Sequence, residues 1–497
     1  MRMINFDQIK GIAIKQIFGP NAQAVSGLAF HSRRVVFSSI FFSVKGENED
    51  GHQYIEEAIQ NGASAIVGED SVQFSRLSER YRSCSFVVVE DVRAAMAYIS
   101  KYFFNHADEK IKTIGVTGTN GKTTVAAYVR SLLNLLGTRS GSIGTTGIWS
   151  SKEKLKYVKS TPTTPEAIDL HRVFHDLKKA GDEAAAMEVS SIALDQKRVD
   201  GMVFDIGIHT NFSEEHLEYH KTIDHYKACK LKLFEQSRQG VINLDDDGMG
   251  MDLFNCFKGP KLTYSLSPSS EADLIGTGIE VMDSGSMFTI HYKSKSIRVF
   301  TPVFGAYNVA NVLSAIATAL MFGYTIDAIA SVLAKLESPE GRFQVIQAPN
   351  DSKVIIDYAH TPVALTNLVD EVKKIQHRRL IVMIAGIGIR DFNKMPKMAA
   401  TIEGKADEVI VTVDHPGYHD PQIIINQVMK GFNEPKASNI HSALTRREGV
   451  RRSLGLGRTG DIVVLTSGCI NNAQIVKGEQ IPHSDEAIIR EHFFQSQ

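Results

Sequence analysis

Short apolar runs, bounded by glycine and polar residues, recur along the chain, and many are followed by stretches with apolar positions three and four residues apart. Compact runs rich in valine and isoleucine predict buried strands, and the three-and-four spacing predicts amphipathic helices. In residues 1–106 the runs Val35-Val36-Phe37, Ile40-Phe41-Phe42-Ser43-Val44, Ala63-Ser64-Ala65-Ile66-Val67-Gly68 and Ser85-Phe86-Val87-Val88-Val89 predict strands, with a helix over 54–61. From 107 to 338, a strand over 111–116 runs into a helical pattern over 125–136. Strand candidates at 184–189 and 203–208 each end in polar residues, and a helix follows over 223–236. From 339 to 497, strands at 354–356, 380–384, 408–413 and 461–465 alternate with helical patterns such as 364–375 and 421–432. The alternation predicts an α/β protein of three domains, 1–106, 107–338 and 339–497. Their parallel, doubly wound sheets gather ligands at the C-terminal ends of the strands.

Composition narrows the classes. With 55 basic against 56 acidic residues, the chain carries no global field for nucleic acid or for an anionic membrane. No stretch approaches the ~20 apolar residues that cross a bilayer, and Asp7, Gln8 and Lys10 interrupt any leader-like start. The four cysteines, Cys84, Cys229, Cys256 and Cys469, show no metal-ligand spacing. They predict free thiols in a reducing, cytoplasmic setting.

The sharpest chemical signal is Gly115-Val-Thr-Gly118-Thr119-Asn120-Gly121-Lys122-Thr123-Thr124, between a predicted strand and a predicted helix. A glycine-rich turn there aims backbone N–H groups and the positive end of the helix dipole at an anion. Lys122 reaches the β/γ-phosphates of a nucleoside triphosphate, and Thr123 offers its hydroxyl to Mg²⁺. The usual spacing places a glycine at position 116, which is Val116, so Gly115 and Gly118 are expected to serve the loop instead. Glu188, directly after an alanine-rich run, is costly to bury without a cation or donors and is a candidate Mg²⁺ ligand. His209-Thr-Asn211-Phe-Ser-Glu-Glu-His216 follows another strand. A lone histidine is more often structural, and Lys227, Lys230 and Lys232 on the next helix read by periodicity as a solvated face.

Taken in order, several motifs resemble the Mur ligases. They are Gly118-Thr-Asn-Gly-Lys-Thr-Thr, Met187-Glu-Val-Ser-Ser, Thr210-Asn-Phe-Ser-Glu-Glu-His-Leu-Glu-Tyr-His, Ala228-Cys-Lys230-Leu-Lys-Leu-Phe, Gly305-Ala-Tyr-Asn308-Val-Ala-Asn311, Gly341-Arg342-Phe343 and Asp357-Tyr-Ala-His360-Thr-Pro362. Within that family the match is nearest the branch that makes UDP-N-acetylmuramoyl-tripeptide. The resemblance implies an N-terminal UDP-sugar-binding domain, a central P-loop ATP-binding domain and a C-terminal Rossmann-like domain hinged near 336–342. It implies that Lys230 is carbamylated, and that Thr123, Glu188, His216 and Lys230 surround Mg²⁺. It further implies contacts to adenine from Asn308, to phosphate from Arg342 and to ribose from Asp357. Ser32, Thr163, Thr164, Ser190, Gln196 and Arg198 match residues that hold the UDP-muramoyl-dipeptide. His31 replaces an aspartate of the family pattern, and Ile192 replaces a histidine.

The place for the incoming amino acid departs further. Where family members taking diaminopimelate have Asp-Asn-Pro-Arg, this chain has Asp414-His415-Pro416-Gly417, which lacks the guanidinium for a distal carboxylate. Ser467-Gly-Cys-Ile-Asn471 replaces Gly-Lys-Gly-His-Glu, so neutral Asn471 stands where a glutamate would meet a side-chain ammonium. Ile387-Gly-Ile-Arg390-Asp391 keeps Arg390 for the α-carboxylate. Diaminopimelate is disfavoured, and lysine also lacks its expected partner.

The implied activity is ATP- and Mg²⁺-dependent addition of an amino acid to UDP-MurNAc-L-Ala-D-Glu through an acyl phosphate, in cytoplasmic peptidoglycan precursor synthesis. The implied partners are these small molecules, with neither nucleic acid nor membrane, acting on a monomer. Two alternatives stay open: an amide ligase of the same type acting on another carboxylate acceptor, and a non-catalytic ATP-binding paralogue.

Overall fold

The structure, a computed structural model, describes every residue except 47, 48, 158–160, 283, 390, 391, 468–472 and 495–497. Its contacts group the chain into two compact units. One is Met1–Tyr264 with Ile316–Tyr324, and the other is Ser265–Ala315 with Thr325–Gln497. The division at 264/265 falls inside the stretch 107–338.

Besides a small antiparallel pair, Arg2–Asn5 with Ala22–Val25, the first unit holds two larger sheets. The N-terminal one contains β1 (Ile14–Phe18), β2 (Gly27–Ala29), β3 (Ser39–Phe42), β4 (Ala63–Gly68) and β5 (Ser85–Val89), in the order β1-β5-β4-β3-β2. Only β1 runs antiparallel to its neighbour. Helices α1 (Ile55–Gln60), α2 (Ser71–Arg80) and α3 (Val92–Phe103) cover its faces. The expected strand at 35–37 is absent. A 3-10 turn over Ser32–Arg34 comes first, Val36 and Phe37 are exposed, and Ser38 adopts a left-handed φ of 63° that ends any extended run. Val35 alone of the three is buried, and one covered residue does not make a strand.

The second sheet is built on β6 (Lys112–Thr117), which leads into α4 (Lys122–Leu135). It continues with β7 (Ser140–Gly144), β8 (Gly147–Trp149), β9 (Lys154–Leu155), α5 (Ala167–Ala180), β10 (Ala184–Glu188), α6 (Ser191–Asp195), β11 (Phe204–His209), α7 (Ile223–Glu235), β12 (Ser237–Asn243) and β13 (Lys261–Ser265). The strand order is β9-β8-β7-β10-β6-β11-β12-β13, so β6 is central, flanked in parallel by β10 and β11. Register places Glu188 beside Val116 and His209 beside Thr117. The polar strand ends therefore converge on one edge, as the sheet rule expects. Gly115 is a strand residue rather than a loop residue: a Cβ there would stand 2.7 Å from Leu233 Cδ1 and 3.0 Å from Phe204 Cδ1. Its role is close packing of β6, which leaves Gly118 and Gly121 as the glycines of the phosphate loop.

The second unit contains an antiparallel meander, β14 (Leu274–Met282), β15 (Gly285–Tyr292) and β16 (Lys295–Thr301), followed by the start of α8 (Ala306–Met321), whose residues from Ile316 on group with the first unit. Its main sheet contains β17 (Gln344–Gln347), β18 (Lys353–Ile356), β19 (Leu380–Ile387), β20 (Glu408–Asp414), β21 (Ile440–Ser442) and β22 (Ile462–Leu465), ordered β17-β18-β22-β19-β20-β21. All pairs are parallel except β17 with β18. Helices α9 (Pro362–Val372), α10 (Lys394–Ile402), α11 (Pro421–Met429) and α12 (Arg446–Leu456) pack on its faces. The hairpin β23 (Ala473–Val476) and β24 (Glu479–Pro482) follows. Among the described residues no helix is long and apolar enough to cross a membrane.

Candidate active site

The loop between β6 and α4 is held by its own glycines. Gly118 has φ 147° and Gly121 φ 86°, and a Cβ on Gly118 would stand 1.9 Å from Thr210 Oγ1. Only glycine lets the chain pass there. Gly121 is also the residue before the first helical turn, so no side chain covers the N-terminus of α4. This is a cradle for phosphates. The segment after β11 braces it. Asn211 accepts from Asn120 N through Oδ1 at 2.9 Å and donates to Asn120 O through Nδ2 at 3.1 Å. Thr119 N donates to Asn211 O at 2.8 Å, and Thr119 Oγ1 donates to Ser213 O at 3.1 Å. Thr123 and Thr124 are buried in the first turn of α4.

Lys122 Nζ donates to Gly118 O and to Thr119 O, each at 2.7 Å. Lys230, on α7, is 1% exposed, and its Nζ donates to Gly118 O at 2.7 Å. Burial, reinforced by the neighbouring Lys122 charge, pushes the Lys230 amine well below the ordinary lysine range. A residue that periodicity assigns to a solvated face thus lies underneath the phosphate loop, where burial disfavours its charged form. Tyr226, which sequence patterns did not single out, lies between several of these groups. Its hydroxyl is 3.2 Å from Thr119 Oγ1, the Lys230 ammonium position is 4.6 Å from its ring centroid, and the His216 ring centroid is 6.3 Å away. His216 itself sits at a left-handed φ of 58°, its Nδ1 3.4 Å from Glu218 Oε1.

Glu188 ends β10 with 1% exposure. Its Oε1 accepts from Thr145 N at 2.6 Å and its Oε2 from Thr145 Oγ1 at 3.2 Å. Thr145 Oγ1 also lies 3.4 Å from Thr163 Oγ1. Next to it, Thr164 Oγ1 donates to Glu188 O at 3.0 Å and accepts from Ser190 N at 3.1 Å. Arg198 donates to Thr164 O at 2.9 Å and to Gln196 Oε1 at 2.7 Å, and pairs with Glu166 at 3.0 Å. The structure therefore brings Thr163, Thr164, Ser190, Gln196 and Arg198 into one cluster beside Glu188. Glu166 and Thr145 are members of it that spacing alone did not reveal; Glu166 follows the Thr-Thr-Pro motif directly.

Ser32 stands apart from that cluster, at a cavity of about 510 Å³ lined by Phe30, His31, Arg33, Arg34, Tyr54 and Arg93 among others. Arg93 lies 3.9 Å from Glu166, so one ion-pair chain runs from this cavity to Arg198.

In the second unit, Asn308 is buried at the start of α8 and donates to Phe304 O at 2.9 Å. Phe304 stacks on Phe343 at 5.5 Å. Arg342 lies over the Tyr358 ring at 4.7 Å, and Asp357 accepts from Phe343 N at 2.8 Å and Ala359 N at 2.7 Å. Asp414 is buried and accepts from Gln474 Nε2 at 2.7 Å, while His415 Nδ1 accepts from Ile475 N at 3.0 Å. Both residues are thereby fastened to the β23 hairpin. Arg390 and Asn471 lie outside the described residues.

Three family models match in order. They are the Mur ligase family catalytic domain over 24–104, the Mur ligase middle domain over 116–319, and the Mur ligase glutamate ligase domain over 341–469. A UDP-N-acetylmuramoyl-L-alanyl-D-glutamate–2,6-diaminopimelate ligase 2 of Clostridium acetobutylicum is 32% identical, over 99% of this chain and 98% of its own length. A ligase of the same name from Clostridioides difficile is 33% identical over 97% of each. A solved structure of a UDP-N-acetylmuramoyl-L-alanyl-D-glutamate–2,6-diaminopimelate ligase aligns with TM-score 0.68 and 29% identity, covering 99% of this chain and 98% of that one. The fold also matches a MurF ligase of Thermotoga maritima in complex with ADP, with TM-score 0.62 and 18% identity over 89% of this chain and 94% of that one.

Proposed function

This chain belongs to the Mur ligase family, and on that premise we propose that it joins an amino acid to UDP-MurNAc-L-Ala-D-Glu at the expense of ATP, giving a UDP-MurNAc-tripeptide for peptidoglycan. The observation that carries the proposal is the buried Lys230 amine on the Gly118 carbonyl, under a glycine-held phosphate loop and on the same sheet edge as Glu188. A neutral buried amine adds to CO₂ through its lone pair and loses a proton, replacing a repelling cation by hard anionic oxygens.

The donor set suits Mg²⁺: the Thr123 hydroxyl, the Glu188 carboxylate, a Lys230 carbamate and His216 nearby. Mg²⁺ bound there supplies charge neutralisation for phosphoryl transfer. Gly118, Thr119, Asn120, Gly121 and Thr124 shape the phosphate cradle, and Lys122 meets the phosphates. Asn308, Arg342 and Asp357 contact the nucleotide, as in the family pattern.

The γ-phosphoryl group moves to the D-Glu carboxylate and ADP leaves. The amine of the incoming residue then attacks the acyl carbon, phosphate departs, and the amine proton goes to solvent. Electrostatic positioning suffices, and no protein nucleophile is needed. Ser32 and the cavity around it hold the uridine-nucleotide end; Thr163, Thr164, Ser190, Gln196 and Arg198 hold the muramoyl-dipeptide. Domain boundaries near 106 and 338 follow this division of labour.

Arg390, Asp414, His415 and Asn471 form the amino-acid end. Because Gly417 carries no guanidinium, diaminopimelate is not the favoured substrate, although the relatives above are named for it. The altered amino-acid end favours, as a second reading, a specialised ligase of the same type acting on another carboxylate acceptor. Isothermal calorimetry with UDP-MurNAc-L-Ala-D-Glu separates the two. Micromolar binding that Arg198→Ala weakens supports the tripeptide reading, and no heat of binding refutes it.

A further inference from the structure

Asp195, His220, His225 and Cys229 form a polar cluster that the ligation chemistry does not use. Asp195 closes α6, His220 ends the single turn Leu217–His220, and His225 and Cys229 stand one helical turn apart on α7. That i, i+4 spacing puts the last two on one helix face.

Three of the donor atoms define a nearly equilateral triangle. His225 Nε2 is 3.5 Å from Cys229 Sγ and 3.3 Å from Asp195 Oδ1, and Cys229 Sγ is 3.5 Å from the same carboxylate oxygen. One donor atom from each of His220, His225 and Cys229 lies within 4.8 Å of the others. A tetrahedral zinc site with Zn–N of about 2.0–2.1 Å and Zn–S of about 2.3 Å has ligand–ligand edges of roughly 3.3–3.6 Å.

The surroundings orient these donors. His225 Nδ1 lies 3.2 Å from His220 O, where its N–H donates to the carbonyl and leaves the Nε2 lone pair facing Cys229. His220 Nε2 is 2.9 Å from Ser191 Oγ, and its Nδ1 lies 3.4 Å from His225 Nδ1, at the other edge of the ring from the Nε2 that faces Cys229. Tyr219 OH donates to Asp195 Oδ2 at 2.9 Å, which leaves Oδ1 for the cluster. Outer-shell bonds of this kind fix tautomer and ring orientation at metal sites. His220 and Cys229 are buried, whereas the His225 side chain is 47% exposed and provides the entry path.

We propose that Asp195, His220, His225 and Cys229 bind Zn²⁺, separately from the Mg²⁺ assigned to Thr123, Glu188, His216 and Lys230. The Cys229 thiolate is what selects zinc here, since Mg²⁺ prefers hard oxygen donors. Binding exchanges the Cys229 S–H bond for an S–Zn bond and releases the proton to solvent. The bound ion fastens α7, which carries Lys230 immediately after Cys229, to α6, which follows Ser190. Zinc at this place therefore controls how firmly the lysine helix is seated. Cysteine spacing in the sequence gives no hint of the site, because Cys229 is its only thiol and Asp195 lies 34 residues away.

The test uses full-length protein stripped with a chelator and titrated with Co²⁺ alone, in place of Zn²⁺. Expected are one equivalent of bound cobalt, a near-ultraviolet thiolate-to-cobalt charge-transfer band, and its bleaching by Zn²⁺. Cys229→Ser abolishes the band, and His225→Ala, at an exposed ring, weakens cobalt binding at least about tenfold. Cys256→Ser and Glu188→Gln leave the band in place, the latter separating this site from the Mg²⁺ site and from the ligase reading. Absence of a thiolate band in the stripped wild type overturns the proposal, as does a band that survives Cys229→Ser. Should Cys229→Ser fail to fold, Asp195→Asn and His225→Ala decide the matter by the same spectrum.

Discussion

Gly144 lies directly against Glu188: a Cβ built on Gly144 would stand 2.2 Å from Glu188 Oε1 and 2.8 Å from its carboxyl carbon. The end of β7 therefore fixes where the Glu188 carboxylate sits, together with the Thr145 N–H that donates to it. Gly144→Ala is expected to displace the carboxylate while leaving the sheet intact. A displacement near 1 Å costs about 100-fold in turnover, with a raised Mg²⁺ requirement. Phosphate release measured against Mg²⁺ concentration, alongside a melting curve, checks this.

Lys230 responds to CO₂ and to pH. Because burial and Lys122 hold its amine well below the ordinary lysine range, the neutral form is available to add CO₂. Acidification protonates the amine and drives the carbamate apart. Activity is expected to fall in CO₂-depleted buffer, to recover with bicarbonate, and to decline as pH is lowered. Lys230→Arg, which cannot form the carbamate, is expected to be inactive with or without bicarbonate.

Arg198 holds three partners at once: Thr164 O, Gln196 Oε1 and Glu166 Oε1. A lysine cannot reproduce that fork. Arg198→Lys is expected to raise KM for the UDP-dipeptide by about tenfold while changing kcat less, as for a loss of uniform substrate binding. Steady-state kinetics with ATP saturating separate the two constants.

Asp485 carries a stability prediction. Burial opposes its ionisation, yet the Arg446 guanidinium, with Nε at 3.0 Å and NH2 at 2.5 Å, and His483 at 2.8 Å hold the carboxyl below its usual range. A carboxyl whose folded pKa is depressed contributes stability above its unfolded value and loses it as pH falls through the folded one. Arg446 is fully buried and also lies 3.9 Å from Asp414, so Asp485→Asn removes its bidentate partner and is expected to cost about 3 kcal/mol at pH 7, the low end for a broken buried pair. The gap from wild type narrows below about pH 4. Urea unfolding at the two pH values measures it.

Much of the scaffold was legible in the sequence because buried parallel strands carry dense apolar runs. The runs that became β4, β5, β6, β10, β11 and β18–β20 are each enclosed on both faces. Val35-Val36-Phe37 failed for the complementary reason, since Val36 and Phe37 are exposed and Ser38 turns the chain. The phosphate loop was legible because glycine and lysine at fixed spacing have few other uses, although Gly115 proved to serve packing. Lys230 was not legible from periodicity: the lysines of α7 look alike in sequence, and only the fold shows which one lies under Gly118. Glu166 was marked only by its place after Thr163-Thr164-Pro165, whereas Tyr226 and Thr145 left no local signal, because their importance comes from neighbours distant in sequence. The Asp195, His220, His225 and Cys229 cluster was hidden for the same reason.

The most direct test of the central claim is mass spectrometry of the product formed from ATP, UDP-MurNAc-L-Ala-D-Glu and a panel of amino acids, with wild type and Lys122→Ala compared side by side. The account predicts a tripeptide product, with ADP and phosphate in equal amounts, for at least one amino acid, and its loss in Lys122→Ala. No product with any amino acid from folded, bicarbonate-supplied protein would contradict it, as would undiminished turnover by Lys122→Ala.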